Sequence, residues 1–119
     1  MHINHLHLKV RSVERARAFY ARYFGLADFV WHGEMLFMRD SAGMDLALAP
    51  AETVEPMPRW FHFGFRLADA AAVRAMHEAM AAAGVAMTEP LTNDGDLTFF
   101  RCSDPDGYAI EVYFEPDPA

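Results

Sequence analysis

An internal repeat constrains this chain more than any other feature, because one order of strand, helix and three strands reads twice along its 119 residues. In the first pass, residues 2–10 (HINHLHLKV) alternate polar and apolar. Leu6, Leu8 and Val10 take one side and His5, His7 and Lys9 the other, which is the period of a half-buried strand. Ser12 is placed to cap a helix running to about Phe24, with Val13, Ala16, Tyr20 and Tyr23 along one face. Gly25 stands where that helix should stop. Strands are predicted at 26–31, 35–39 and 44–49, joined by turns at 32–34 and 41–43.

Residues 50–59 (PAETVEPMPR) hold Pro50, Pro56 and Pro58, and read as an extended linker. The pattern then restarts. In 60–67 (WFHFGFRL), Phe61, Phe63, Phe65 and Leu67 face one way and Trp60, His62, Gly64 and Arg66 the other. Asp69 can cap a second helix over 70–83, with Val73, Met76, Met80 and Ala83 buried and Gly84 ending it. Strands at 85–88, 97–102 and 108–114 complete the second pass, with Asp104, Pro105, Asp106 and Gly107 as the last turn. The tail 115–119 is expected to be loose.

The two passes stay in register. His5 matches His62, Gly25 matches Gly84 and Gly43 matches Gly107, at separations of 57, 59 and 64 residues. Small loop changes account for that drift, so the sequence predicts a duplicated βαβββ unit in one α+β domain over 1–119. Its first half covers about 1–49 and its second about 60–115.

The balance of charge narrows the function. A net charge of −7 argues against nucleic acid as a partner, since phosphate binding needs clustered Lys and Arg. No run approaches the roughly 20 apolar residues of a membrane-spanning helix, and nothing at the N-terminus resembles a signal peptide. Cys102 is the only cysteine, so no disulfide can close within the chain and a cytoplasmic setting is expected. No base is placed beside Cys102, which should face the helices and serve no nucleophilic role.

Matching the halves puts His5 and His62 at equivalent positions on their first strands. Glu111 follows Gly107 by four residues, and the residue four after Gly43 is Ala47. The repeat therefore offers two imidazoles and one carboxylate, with no fourth ligand at Ala47. A 2-His-1-carboxylate set leaves metal positions open and suits Fe(II) or Mn(II), with Zn(II) and Ni(II) as further candidates. Glu111 lies between Ile110 and Val112 in an apolar strand, where a carboxylate is costly to bury unless a charge answers it.

The segments NHLHLKV (4–10), AFYARYFGL (18–26), HFGFRL (62–67) and DPDGYAIEVY (104–113) resemble the vicinal oxygen chelate superfamily. That superfamily includes glyoxalase I, extradiol dioxygenases, fosfomycin-resistance thiol transferases, methylmalonyl-CoA epimerase and bleomycin-resistance proteins. The resemblance implies paired βαβββ modules in a curved, barrel-like mixed sheet, with His5, His62 and Glu111 as metal ligands. It also implies a homodimer in which one chain gives His5 and the other His62 and Glu111; exposed edges of four-stranded half-sheets favour the same pairing. The chain departs from glyoxalase I and the epimerase at Ala47, where they carry a fourth Glu or Gln. Asp45 lies two residues early for that role. It departs from the dioxygenases by having Arg101 at their tyrosine position and no His in 90–100.

The enzyme so implied acts on a small vicinal-oxygen substrate with dioxygenase-like, glyoxalase-like or thiol-transferase-like chemistry. The other class is a non-catalytic protein that sequesters a ligand, as bleomycin-resistance proteins do. His7 shares the face of His5 and is the candidate acid/base group, because imidazole exchanges protons near neutral pH. Arg101 favours an anionic substrate through bidentate hydrogen bonds, or forms a structural ion pair with Asp45 or Glu111. Trp60, Phe37, Phe99, Tyr113 and the methionines are candidates for an aromatic wall or for ordinary core. His2, His32 and His77 show no partner pattern and are expected at the surface.

Overall fold

Two turns set the architecture. Asp40 Oδ1 accepts hydrogen bonds from the amides of Ala42 and Met44, both at 2.9 Å, and Gly43 takes a φ of 89°. Asp104 Oδ1 accepts from Asp106 and Tyr108 at 2.8 and 2.9 Å, and Gly107 takes a φ of 92°. A short carboxylate bonding its own backbone two and four residues on, then a residue free of a Cβ, is what bends the chain here. The same device at equivalent places in both halves supports the duplication read from sequence.

The computed structural model describes residues 1–117. The chain divides into two compact units between Pro56 and Met57, inside the proline-rich segment. The first unit runs β1 (His5–Val10), α1 (Val13–Phe24), β2 (Ala27–His32), β3 (Met35–Arg39) and β4 (Asp45–Pro50). The second runs β5 (Phe63–Arg66), α2 (Ala70–Ala82), β6 (Met87–Asn93), β7 (Thr98–Ser103) and β8 (Ala109–Phe114). Each unit carries one four-stranded mixed sheet, in the orders β1-β4-β3-β2 and β5-β8-β7-β6. In each, the first and last strands pair in parallel and the others antiparallel. Both passes of the predicted strand–helix–three-strand order are therefore present.

Ser12 and Asp69 cap the helices as expected, their side-chain oxygens accepting from Arg15 and Ala72 amides at 3.1 and 2.8 Å. Gly25 closes α1 in the left-handed region, with a φ of 66°. The buried face of α1 is Ala16, Phe19 and Tyr20, so Phe19 replaces the expected Tyr23 and Val13. That of α2 is Val73 and Met80, with Met76 half-buried and Ala83 exposed at the C-cap. Each helix covers one face of its own sheet. Leu36, Met38, Leu46 and Leu48 are buried in the first unit, and Phe100, Cys102, Ile110 and Val112 in the second.

The structure corrects several expectations. The strand predicted at 85–88 is β6, and it extends to Asn93 through Pro90. Proline is tolerated because β6 is an edge strand and its pairing with β7 is irregular between Glu89 and Thr92. The strand predicted at 60–67 shortens to Phe63–Arg66, and Trp60 stands 74% exposed in a turn. The described tail residues 115–117 are exposed and outside any strand, with Arg66 donating to the Glu115 carbonyl and pairing with Asp117. Residues 118–119 lie outside the described residues. His77 is half-buried and packs edge-on against the buried ring of Phe100 at 5.0 Å, whereas His32 is exposed as expected and meets the half-buried Phe37 edge-on at 5.1 Å.

Candidate metal centre

The face of β7 and β8 away from α2 holds the candidate residues Arg101 and Glu111. Alternation buries Phe100, Cys102, Ile110 and Val112 under the helix, so Phe99, Arg101, Ser103, Ala109, Glu111 and Tyr113 share the other face, all half-buried. Arg101 and Glu111 are directly opposite in the β7–β8 ladder. Arg101 Nε donates to Glu111 Oε1 at 3.3 Å. Of the two ion-pair partners open to Arg101 from sequence, the structure selects Glu111.

The other carboxylate oxygen, Oε2, faces His62 Nε2 at 3.8 Å. His62 immediately precedes β5, one residue outside the strand that its alternation suggests. Its Nδ1 lies 3.0 Å from the Trp60 carbonyl oxygen, which can only accept. A neutral imidazole bonded this way carries its proton on Nδ1 and directs the Nε2 lone pair toward Glu111. At 3.8 Å the two atoms are too far apart for a hydrogen bond. Two ligand atoms at about 2.1 Å from a shared ion sit roughly 3.0–3.4 Å from one another, so the gap is near what a metal requires. A carbonyl fixing the remote nitrogen of a ligating histidine is the usual outer support of such sites.

Gly64, which the sequence reading assigned no role, is the register neighbour of Glu111 on β5. A Cβ on Gly64 would stand 3.1 Å from the Glu111 carbonyl oxygen and 3.4 Å from the Tyr113 ring. The glycine thus permits β5 and β8 to approach closely beside the carboxylate.

In the first unit, His5 opens β1 and is exposed, with Nδ1 3.1 Å from Asn4 Oδ1. His7 is also exposed, two residues along, and has no hydrogen bond or ion pair among the described residues. Ala47 lies opposite His7 and Phe37, as Glu111 lies opposite Gly64 and Arg101, so the ladders confirm Ala47 as the counterpart of Glu111. Asp45 is held by Arg39 through two bonds, Nε–Oδ1 at 2.6 Å and Nη2–Oδ2 at 3.1 Å. The Arg39 hydrogen bond holds the Asp45 carboxyl below the usual carboxylate range. A carboxylate so engaged is poorly suited to replace the missing ligand at Ala47. Among the described residues, no three His, Cys, Asp or Glu side chains are gathered as a ready metal cluster. Cys102 is buried under α2, and burial pushes its thiol up to about 12, which leaves it inert near neutral pH.

A cavity of about 520 Å³ opens on the same face of the second unit, within the size range of small-molecule sites. Arg101, Ser103 and Ala109 line it from the sheet, Thr88 and Glu89 from β6, and Met57, Arg59 and Phe61 from the segment leading to β5. Of the residues that the sequence offered as an aromatic wall or as ordinary core, Met57 lines the cavity, and Trp60, Phe37, Phe99 and Tyr113 do not.

Two βαβββ units, each a mixed four-stranded sheet under one helix, define a class of α+β proteins built by module duplication. A family model described as the Glyoxalase/Bleomycin resistance protein/Dioxygenase superfamily matches residues 2–112, and the chain belongs to that superfamily. A possible glyoxalase from Bacillus cereus is 33% identical, with a TM-score of 0.82 over 94% of this chain and 97% of that one. The fosfomycin resistance protein FosX from Listeria monocytogenes shares the fold at 18% identity, with a TM-score of 0.84 over 98% of this chain and 95% of that one. Another crystal structure of that FosX is described as complexed with Mn(II) and sulfate, at 18% identity, a TM-score of 0.82, and 98% and 91% coverage. The comparison with curated proteins finds no match. No described helix is long and apolar enough to cross a membrane.

Proposed function

We propose that this chain is a metal-dependent enzyme of the superfamily, acting on a small substrate that presents two adjacent oxygens. In this reading His5, His62 and Glu111 hold a divalent ion, and the chain works as a homodimer in which one copy gives His5 and the other His62 and Glu111. The observation that carries it is the opposed pair of His62 Nε2 and Glu111 Oε2, with the imidazole proton held away by the Trp60 carbonyl. Two imidazoles and one carboxylate favour Fe(II) or Mn(II), and Mn(II) is the ion named for the Listeria FosX crystal.

A divalent ion bound there supplies Lewis acidity to the substrate oxygens. The chain's own groups do the rest. Arg101 fixes the orientation of Glu111 by donating to Oε1. His7, exposed and without a partner among the described residues, serves as the proton carrier. The cavity beside Arg101 receives the substrate. An open three-ligand set favours dioxygenase-like or thiol-transferase-like chemistry over that of glyoxalase I. Self-association is supported by β2, an edge strand that leaves Phe29 and Trp31 53% and 46% exposed.

Metal analysis of protein purified without chelator should find about one divalent ion per chain, lost in His62→Ala and in Glu111→Ala. Mixing His5→Ala with His62→Ala should restore about a quarter of the sites, because only mixed dimers contain one intact set. Full occupancy in His62→Ala would refute the ligand assignment. No recovery on mixing, with metal bound by the parent protein, would place all ligands in one chain.

A further inference from the structure

Arg59 carries no role in the reading above, yet it lines the cavity together with Arg101. It makes no hydrogen bond or ion pair among the described residues. Arg101 is bound to Glu111 through Nε alone at 3.3 Å, which leaves the outer edge of its guanidinium open to a ligand. Two acidic groups bear on the balance. The charge of Glu111 is answered by Arg101, whereas Glu89 lines the cavity without an ion pair of its own among the described residues. Ser103 and Thr88 add hydroxyl donors to the same lining. The free cationic edges in the cavity are thus those of Arg59 and Arg101, and planar guanidinium forks match the oxygens of a carboxylate or phosphonate.

We propose that the cavity between the 57–61 segment and the β6–β7 ladder is an oxyanion site, with Arg59 and Arg101 gripping a carboxylate or phosphonate on the substrate. The proposal rests on reading this face as the active site and narrows its substrate to the anionic class. Arg59 supplies charge from outside the sheet, and Arg101 links the anion to Glu111, the carboxylate to which it donates. Glu89 tempers the site and disfavours ligands with several negative charges.

Lactate, methylphosphonate and the neutral analogue lactamide are titrated into metal-free, 15N-labelled protein, with the arginine Nε–H signals as readout. Lactate, methylphosphonate or both should bind about tenfold or more tightly than lactamide and shift the Arg59 and Arg101 signals. Binding of only one of the two assigns the anion as carboxylate or phosphonate. Arg59→Gln, at an exposed position, should reduce oxyanion affinity about tenfold while leaving lactamide unchanged, and Arg59→Lys should recover part of the loss. Glu89→Gln should tighten oxyanion binding. Equal affinities for lactate and lactamide, or shifts confined to other arginines, would overturn the proposal. A separate Mn(II) titration keeps the two readings apart. Oxyanion binding without metal binding defeats the metal-enzyme reading alone, and metal binding without oxyanion preference defeats this proposal alone.

Discussion

The two units share a scaffold and differ in where they put one arginine–carboxylate pair. In the first, Arg39 and Asp45 flank the Asp40–Gly43 turn and close on each other through two hydrogen bonds. Arg39 also stacks 3.5 Å above the ring of Phe29, a further contact that holds its guanidinium in place. In the second, the pair lies one step further from the equivalent turn, at Arg101 and Glu111. There the contact is a single 3.3 Å bond, and the second carboxylate oxygen faces an imidazole. A two-residue step keeps a side chain on the same face of a sheet, so duplication could move the pair without moving the fold. The first unit uses its pair as a structural clasp. The second leaves a carboxylate half-satisfied beside a histidine, an arrangement that invites a cation.

The strongest way to break this comparison is to remove each carboxylate in turn. Glu111→Ala should weaken Mn(II) binding by about 100-fold or more, roughly 3 kcal/mol, whereas Asp45→Asn should leave it unchanged by calorimetry. An equal loss from both would mean that Asp45 is a ligand after all and that the clasp opens to bind.

A smaller effect tests the half of the comparison in which the units agree. Ser12→Ala and Asp69→Ala each remove a side chain that accepts from the first turn of its helix, at 3.1 and 2.8 Å. Each should cost about 1 kcal/mol in denaturant unfolding, with no change in metal affinity. A tenfold change in metal binding from either would couple the scaffold to the site.

The smallest effect is a displaced titration. Because Arg39 lowers the folded-state pKa of Asp45, the stabilisation from this pair is present above the unfolded carboxylate pKa. It is lost as pH falls through the lower, folded value. Carboxyl NMR should place the Asp45 midpoint below an ordinary aspartate, and Arg39→Gln should return it upward. An unchanged midpoint in that variant would remove the clasp from the argument.

Local chemistry made much of this molecule legible. The alternation of 2–10, the caps at Ser12 and Asp69, and the matched turn glycines Gly43 and Gly107 each act within a few residues, so their order revealed the duplicated βαβββ unit. The same turn-to-residue counting correctly matched Ala47 with Glu111 before any ladder was known. β6 runs past the predicted end at residue 88 because Pro90 is tolerated on an edge strand, which only the sheet order decides. Trp60 misled because alternation alone cannot tell where a strand begins. The choice of Glu111 over Asp45 by Arg101, the clearance at Gly64, and the joining of Arg59 and Arg101 in one cavity were likewise settled in three dimensions. Each depends on which segments lie side by side, a non-local outcome of burying one face of each sheet under its helix, whereas the sequence by itself determined the elements and the repeat because their signals are short-range.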